Sequence, residues 1–358
     1  MKKLINKFGL FIALILVFNL IGVIITPLNA YTFRSWEAVI PFLLTFDGGF
    51  YPNQAIEMTE VGDLAKGTEF AVPKQITFVT DAYGYRNFAK EVAHYDIVVV
   101  GDSMTAGSSL TQDDTLPEVL SRKLGKPVYS YAPASINQYL ADARFASSPP
   151  EVLVLESAEH TFPRNVCPPD VDGIQPRPPA QTGNEAILQA KVLADRFLRN
   201  PIYLGNYIQS NSHVKQVIHT DSGMVFYEPS LGPHFSDPSE AARQANELQR
   251  CADTLRARGT QLIFLVVPDK ENIYFDQIPD EFRPNITWTE RRAFVVDLIE
   301  QLKSKNIKVV NLESAYEQAR TAGITPYQLD DTHWNRTGIE IAANLLADLV
   351  VKDLTYTT

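Results

Sequence analysis

The stretch VVVGDSMTAGSSL, from Val98 to Leu110, joins an apolar run to a small, polar turn. Its valines lead directly into Gly101, Asp102 and Ser103, so a buried strand ends by presenting one serine. Such a turn is either a plain connection from a strand to a helix or the position of a nucleophile. A serine nucleophile needs a base and an orienting carboxylate. The rest of the chain therefore decides between the two interpretations.

Apolar runs of strand length alternate with stretches of helical spacing from Asp96 onward. The predicted strands are DIVVVG, PVYSYA, EVLVLES, QLIFLVVP and IKVVNL. The predicted helices are TLPEVLSRKLG, NQYLADARFA, SEAARQANELQRCADTLRARG, WTERRAFVVDLIEQLKSKN and GIEIAANLLADLVVKDL. Continuous apolar strands alternating with helices are typical of a parallel sheet that is covered on both faces. We therefore predict an α/β domain with a parallel five-stranded sheet and helices on both faces, preceded by two short strands, TEFAV and ITFVT.

The N-terminal 30 residues predict a membrane anchor or a signal sequence. Lys2, Lys3 and Lys7 precede an uncharged run over residues 8–27, and a run of about 20 apolar residues is enough to span a bilayer. The lysines favour a cytoplasmic N-terminus, which places residues 31–358 outside. The alternative is a signal peptide that is cleaved after Ala30, although its apolar run is longer than the usual ~7–15 residues. In both cases the body of the protein is exported. The expected location is the inner or cytoplasmic membrane, as a single-pass protein with a periplasmic or extracellular domain.

A proline-rich stretch interrupts the alternation of strands and helices at about residues 165–238. Prolines at its start indicate a loop that leaves the sheet. We predict an insertion in the domain of residues 31–358, placed near the substrate groove. The alternative is a solvent-exposed segment that has no role in substrate binding or catalysis.

Composition limits the classes of partner. The chain has 358 residues and a net charge of −10, which argues against nucleic acid, because phosphate binding needs a basic surface. Its two cysteines, Cys167 and Cys251, are either a disulfide in an oxidising compartment or two buried thiols. The Cys and His residues do not have zinc-ligand spacing, so we expect neither a metal nor a cofactor.

A candidate base lies near the other end of the predicted sheet. His333 is in the polar loop LDDTHWNRTG, between the fifth strand and the last helix. Because ligands of such sheets bind at the carboxyl ends of the strands, this loop and the Ser103 turn reach the same edge. Asp330 and Asp331 lie three and two residues before His333, and either carboxylate could orient the imidazole. The sequence thus predicts Ser103 as nucleophile, His333 as base, and Asp330 or Asp331 as acid.

The two motifs together resemble the SGNH (GDSL-type) hydrolase superfamily. GDSMTAG follows the first regular strand and DDTHWNRTG precedes the last helix, as in that superfamily. TDAYGYRN, LESAEHTF and VVPDKENIY are similar to stretches of its alginate O-acetyltransferase branch, the AlgJ/AlgX-like proteins. The resemblance covers roughly residues 75–355 and implies the SGNH-like fold.

The resemblance also implies roles for single positions. Most SGNH enzymes place the acid three residues before the histidine, at Asp330 here, whereas the Asp-x-His-Trp pattern of the acetylating branch favours Asp331. Asp102 is expected to shape the turn. The Gly-x-Asn-Asp block of the superfamily is missing, so the oxyanion and substrate positions are assigned only broadly. They are the N–H of Ser103, together with Ala134, Ser135, Asn137, Glu159, His160, Arg86, Lys270 and Tyr274. A structural ion pair is the alternative for Arg86, and a packed stem for Lys270.

Ser-His-Asp chemistry proceeds through an acyl-enzyme. With the branch resemblance and the N-terminal segment, it predicts an O-acetyltransferase that acts on a cell-surface or secreted polysaccharide. The resemblance further implies an acetyl donor supplied through a membrane acyltransferase of the MBOAT type. The alternatives are a carbohydrate or lipid esterase of the same fold and a non-catalytic glycan-binding module.

Overall fold

A computed structural model describes residues 2–88, 92–164, 167, 171–179, 184–209, 216–231, 238–283 and 287–354. The chain begins with helix α1 (Lys2–Ile25), then a short helix α2 (Ser35–Val39) and an antiparallel hairpin of β1 (Ala55–Glu60) and β2 (Lys74–Val79). The hairpin contains the predicted strand ITFVT. The stretch TEFAV is a turn region and not a strand, so that prediction was wrong: Thr68 and Phe70 lie in the connection of residues 61–73 that joins β1 to β2.

The central sheet is parallel and has five strands. They are β3 (Ile97–Val100), β4 (Val128–Tyr131), β5 (Val152–Ala158), β8 (Gln261–Val267) and β9 (Lys308–Asn311), in the spatial order β4-β3-β5-β8-β9. Each strand corresponds to one of the predicted apolar runs. The predicted fold class is therefore confirmed.

Helices cover both faces of this sheet. On one face lie α3 (Leu116–Leu124) and α11 (Arg336–Leu354), and on the other lie α7 (Pro238–Ala257) and α9 (Trp288–Ser304). Alternate strand residues point to opposite faces: Val99 and Val154 join the first apolar core, whereas Val98 and Leu155 join the second. This arrangement explains why the strands are apolar on both sides.

Some elements differ from the prediction. NQYLADARFA forms two short helices, α4 (Ile136–Leu140) and α5 (Ala143–Ser147), because the Asp142 carboxylate accepts the N–H of Arg144 and starts a new helix. Before the last helix the chain also forms α8 (Lys270–Ile273) and α10 (Glu313–Thr321).

The described residues between β5 and α7 lie outside the central sheet. The described part forms a long helix, α6 (Glu185–Gln209), and a small antiparallel hairpin of β6 (Val217–His219) and β7 (Val225–Tyr227). Cys167, ahead of α6, forms a disulfide with Cys251 of α7. The disulfide is therefore the alternative that the structure adopts.

Candidate active site

The Ser103 turn lies at the carboxyl end of β3 and is held in place by a side chain of the neighbouring strand β5. Glu156, buried on β5, accepts the N–H of Asp102 at 3.1 Å and the hydroxyl of Thr105 at 2.9 Å. A Cβ on Gly101 would collide with these same two side chains, so only glycine fits there. Asp102 shapes the turn as predicted, because its Oδ1 accepts the N–H of Met104 at 2.8 Å. The result is an exposed Ser103 on a fixed backbone.

The loop that carries His333 is fixed to the same turn. The buried Trp334 donates its indole N–H to the carbonyl oxygen of Met104 at 3.1 Å. Lys270 contacts the same loop through its ammonium group. Its Nζ lies within 3.0 Å of four carbonyl oxygens, those of Val225, Gln328, Leu329 and Asp331. Burial lowers the pKa of Lys270 to about 8, which still leaves it largely protonated at neutral pH. Its ammonium therefore organises the backbone of the loop.

Three of the predicted side chains form a hydrogen-bonded chain. Ser103 Oγ lies 2.8 Å from His333 Nε2, and His333 Nδ1 lies 2.5 Å from Asp331 Oδ1. A carboxylate is an acceptor only, so Nδ1 carries the imidazole proton and Nε2 is free to accept the Ser103 proton. This is the geometry that a serine nucleophile and its base require.

Asp331 is fully buried, and both of its oxygens accept hydrogen bonds. Oδ1 also accepts the N–H of His333, while Oδ2 accepts Arg34 Nη2 at 3.0 Å, Ser109 Oγ at 2.5 Å and the N–H of Asp63 at 3.1 Å. Burial by itself raises the pKa of the Asp331 carboxyl, but Arg34 and His333 together hold that pKa well below its usual range. Asp331 is therefore a carboxylate at neutral pH.

The Asp330 side chain points away from His333, and it is also fully buried. It accepts the ammonium of Lys74 at 2.6 Å and the N–H groups of Gly62 and Val72 at 2.8 Å. It thus ties the β1–β2 hairpin to the His333 loop. Although the adjacent position suggested an alternative acid, in this structure it is Asp331 that contacts His333.

A cavity of about 290 Å³ opens beside Ser103 and His333. Its walls are mainly apolar and come from the N-terminal segment, the β1–β2 hairpin and the serine turn. The lining residues are Arg34, Trp36, Ile40, Phe50, Asp63, Phe78, Ser103, Ala106, Ser108, Pro133 and His333. The arrangement can hold a small acyl group next to the serine and leaves one side open to an acceptor.

Three predicted oxyanion positions lie after β4. Ala134 donates its N–H to the carbonyl oxygen of Gly101 at 2.9 Å, and Ser135 donates its N–H to the Gln138 side chain at 2.8 Å. Both groups are thus engaged within the fold. Asn137 is exposed on α4 and does not line the cavity.

The other predicted substrate positions are also outside the cavity lining. Glu159 is buried, and its carboxylate accepts the N–H of Asp269 at 2.9 Å; burial and the charge of Asp269 raise its pKa to about 7. His160 Nδ1 lies 2.6 Å from Asp269 Oδ1, and this carboxylate outweighs burial and raises the His160 pKa to about 9. Tyr274 packs in the core against Tyr327.

Arg86 does not line the cavity, and it forms no ion pair with the residues that the structure describes. Its buried guanidinium donates to the carbonyl oxygens of Ala106, Gly107 and Leu110 at 2.5–3.1 Å. These carbonyls belong to the segment that follows the serine. Arg86 thus holds the serine segment in place through its backbone, as Lys270 does for the histidine loop.

Asp63, Asp331 and His333 bring three potential metal-ligand atoms within 4.8 Å of one another. The Arg34 guanidinium lies among them, 3.0 Å from Asp331 and 3.9 Å from Asp63. One of the two negative charges of the cluster is therefore already balanced by a protein cation.

Arg34, Glu156 and Ser109 were missed by the sequence analysis. Arg34 follows the N-terminal segment, in a region without regular periodicity, and it meets Asp331 only through the tertiary fold. Glu156 did carry a signal, because it is a single carboxylate inside the apolar run VLVLES, and a buried charge needs partners. Ser109 carried none beyond the polar composition of its turn.

Comparisons with known proteins agree with the motifs. Residues 222–358 match the model of the SGNH hydrolase-like domain of the acetyltransferase AlgX. The resemblance to the AlgJ/AlgX-like branch of the SGNH hydrolases is confirmed. The matched segment includes Asp331 and His333, whereas Ser103 precedes it.

One curated relative supports the same branch. It is the probable alginate O-acetylase AlgJ of Pseudomonas putida, 31% identical over 98 residues, which are 27% of this chain. The chain thus matches about a quarter, 24%, of the length of that relative.

Two solved structures are also similar. The O-acetyltransferase domain of Pseudomonas putida AlgJ has 24% identity and a TM-score of 0.31, covering 38% of this chain and 48% of that chain. The psychrotrophic esterase EstA from Pseudoalteromonas sp. has 12% identity and a TM-score of 0.36, covering 73% of this chain and 99% of that chain.

Proposed function

We propose that this protein is an exported serine-dependent O-acetyltransferase that acetylates hydroxyl groups of a cell-surface or secreted polysaccharide. The observation that carries the proposal is the hydrogen-bonded chain Ser103–His333–Asp331 at the mouth of the cavity. The AlgX-type match and the AlgJ relative support acetyl transfer and a polysaccharide acceptor.

In the first half-reaction Ser103 Oγ attacks the acetyl carbonyl of the donor, while His333 Nε2 takes the hydroxyl proton. Asp331 stabilises the imidazolium that forms and keeps the ring in the required tautomer. The tetrahedral intermediate then breaks its bond to the donor oxygen, and His333 returns the proton to that leaving group. The product is acetyl-Ser103.

The developing oxyanion needs preorganised donors. Among the sequence candidates, the N–H groups of Ala134 and Ser135 are engaged in the fold, so the N–H of Ser103 is the first donor.

His160 carries a positive charge at neutral pH, since its pKa is raised to about 9. It lies near the serine turn, because the neighbouring Thr161 donates to Asp102 at 2.9 Å. The Asp269 carboxylate balances this charge, so His160 acts as a hydrogen-bond donor to the acceptor outside the cavity.

In the second half-reaction a sugar hydroxyl attacks the acetyl carbonyl, and His333 again takes the proton. If water replaces the sugar, the same residues act as an esterase. The apolar cavity wall of Trp36, Ile40, Phe50 and Phe78 keeps water away from one side of the ester. This wall therefore favours acetyl transfer over hydrolysis when a sugar is bound.

Membrane attachment is the second part of the proposal. Helix α1 contains a segment, Ile5–Ile25, that is long and apolar enough to cross a membrane. Its outer end packs on the body: Val23 is buried, and Asn19 Nδ2 donates to the carbonyl oxygen of Phe197 at 2.8 Å. These contacts support a retained anchor, with residues 31–358 on the periplasmic or extracellular side. The acetyl donor then arrives through a membrane acyltransferase of the MBOAT type.

The test is turnover of a chromogenic acetyl ester by the full chain, with and without oligosaccharide acceptors. We expect faster ester consumption when a suitable acceptor is present, and acetylated oligosaccharide in the mass spectrum. Ser103→Ala should abolish both. Hydrolysis that no acceptor accelerates would favour the esterase. Oligosaccharide binding that Ser103→Ala retains, without turnover by the parent protein, would favour the glycan-binding module.

A further inference from the structure

The second half of α6 has an apolar, outward-facing surface. Between residues 197 and 209 the only charged residue is Arg199, and its guanidinium points inward to the carbonyl oxygen of Ala38 at 2.8 Å. Leu198 and Ile202 are one helical turn apart and lie on the solvent side, with Pro201 and Ile208 beside them. Ile202 is 46% exposed. Single exposed apolar residues are ordinary, but a continuous uncharged stripe marks an interaction surface.

A second apolar segment lies next to this stripe. Residues 40–46, IPFLLTF, contain no charge, and Leu43 is 63% exposed. Asp195 of α6 fixes this segment, because its carboxylate accepts the N–H groups of Phe42, Leu43 and Leu44 at 2.7–2.8 Å. We call Leu198, Ile202, Ile208 and Leu43 the apolar patch.

Helix α1 sets the depth of this patch. Phe197 accepts a hydrogen bond from Asn19, and Arg196 donates to the carbonyl oxygen of Thr26 at 2.8 Å. Asn19 lies six residues before the end of α1 at Ile25, which is about 9 Å along a helix. If α1 spans the bilayer, the start of the apolar patch lies that far below the outer end of the span. Amphipathic helices that bind membranes bury their apolar face by about 5–10 Å, which agrees with this depth.

We propose that the apolar patch is inserted in the outer interfacial layer of the membrane that α1 spans, with lipid as its occupant. The proposal rests on the membrane attachment proposed above. Lipid is favoured because the patch is uncharged and belongs to the helix that packs on α1, whose own exposed residues are apolar. Arg196 and Arg199 do not oppose insertion, since both bind backbone carbonyls on the inner side of α6.

Insertion of the apolar patch, which we call the seating, brings the catalytic cavity to the membrane surface. Trp36 and Ile40, which line the cavity, lie in the short segment between the end of α1 and Leu43. The fold therefore presents Ser103 to an acyl donor that arrives at the bilayer, and the polysaccharide meets it from the outer side.

The test uses single-cysteine spin labels on the full chain in lipid nanodiscs. Cys167 and Cys251 are paired, so one introduced thiol takes the label. Ile202→Cys and Leu43→Cys report the patch, and Phe18→Cys, at a position 69% exposed on α1, reports the span. Ile324→Cys is the matched control, because Ile324 is 46% exposed, like Ile202, and lies after α10. The measurement is the collision rate of each label with oxygen and with a water-soluble nickel complex.

We expect the oxygen-to-nickel ratio at positions 202 and 43 to be severalfold above that at 324, and close to that at 18. Ratios at 202 and 43 equal to that at 324, with a lipid signal at 18, would overturn the seating and leave the anchor intact. An aqueous signal at all four positions would overturn both. Labels at 202 and 43 that exclude both reagents, with dipolar broadening between copies, would show that a second copy covers the patch and would also overturn the proposal.

Discussion

Arg34 Nη2 lies 3.0 Å from Asp331 Oδ2, although 297 positions separate the two residues. Arg34 also donates to Ser108 Oγ at 2.7 Å and to Ser109 Oγ at 2.9 Å. One buried guanidinium thus joins the segment after the N-terminal helix to the serine turn and to the acid beside His333. The charge of Arg34 is the largest of the contributions that keep Asp331 ionised without solvent.

Arg34→Met should move the acid limb of the kcat profile to higher pH. Burial raises the pKa of Asp331, whereas the charge of Arg34 and the contacts from His333 and Ser109 lower it. Without Arg34, protonation of Asp331 and loss of its hydrogen bond from His333 should therefore begin at a higher pH. Arg34→Lys keeps the positive charge, so its acid limb should lie close to that of the parent protein. A kcat profile that only scales down, with an unmoved acid limb, would assign Arg34 to structure alone.

Ser103→Ala should remove acetyl-ester turnover and leave the fold intact. Residues of such a unit depend on one another, so the loss is expected to be several orders of magnitude in kcat. The serine is exposed, and the melting temperature should stay within the error of the parent protein. Intact-mass spectra should show an acetyl adduct on the parent after donor addition and none on Ser103→Ala. Ser304→Ala, at the exposed end of α9, is the matched control.

Asp331→Asn and Asp330→Asn should both lower stability, because each breaks a buried ion pair, but only Asp331→Asn should also lower kcat by orders of magnitude. Loss of the Asp331 carboxylate frees the imidazole tautomer, which costs up to ~10⁴ in kcat in serine proteases. Loss of the Asp330 carboxylate breaks a buried ion pair with Lys74, a change that costs about 3–5 kcal/mol of unfolding free energy when one partner is removed. Both variants need turnover and denaturant-unfolding measurements. A larger kcat loss in Asp330→Asn, corrected for the folded fraction, would contradict the geometry.

Lys270→Met should reduce kcat through the His333 loop. The methionine fills similar volume but donates no hydrogen bond to the four carbonyl oxygens that now surround Nζ. The loop should loosen, and the Ser103–His333 contact with it. We expect a lower kcat with little change in KM, and faster amide exchange at residues 328–333. Lys305→Met, after the end of α9, should change neither quantity.

Cys167→Ser or Cys251→Ser should lower the free energy of unfolding by about 2–4 kcal/mol, since a disulfide restricts the unfolded chain. The bond lies away from the cavity lining, so kcat of the folded enzyme should be maintained. Denaturant unfolding with and without reductant measures the effect. Reductant should destabilise the parent and leave both variants unchanged. A parent insensitive to reductant would contradict the pairing as a stabilising bond.

The sequence by itself determined the sheet and the edge where the site lies. Strands such as IVVV at β3 and LIFLVV at β8 are apolar on both faces, and this pattern is local. A strand followed by Gly-Asp-Ser and a polar loop before the last helix must meet at the carboxyl edge of a parallel sheet, so Ser103 and His333 could be paired. Gly101 and Asp102 could likewise be read as turn residues.

Only the tertiary structure decided which carboxylate contacts His333. Asp330 and Asp331 are neighbours with the same chemistry, and they differ only in which side of the loop each faces. The β1–β2 hairpin brings Lys74 to one side, and the segment after α1 brings Arg34 to the other. These two cations come from parts of the chain more than two hundred residues away, where local periodicity carries no record of the contact. A buried carboxylate is stable only beside its partner, so the long-range packing of Lys74 and Arg34, and not the spacing within DDTH, fixed the arrangement of the site.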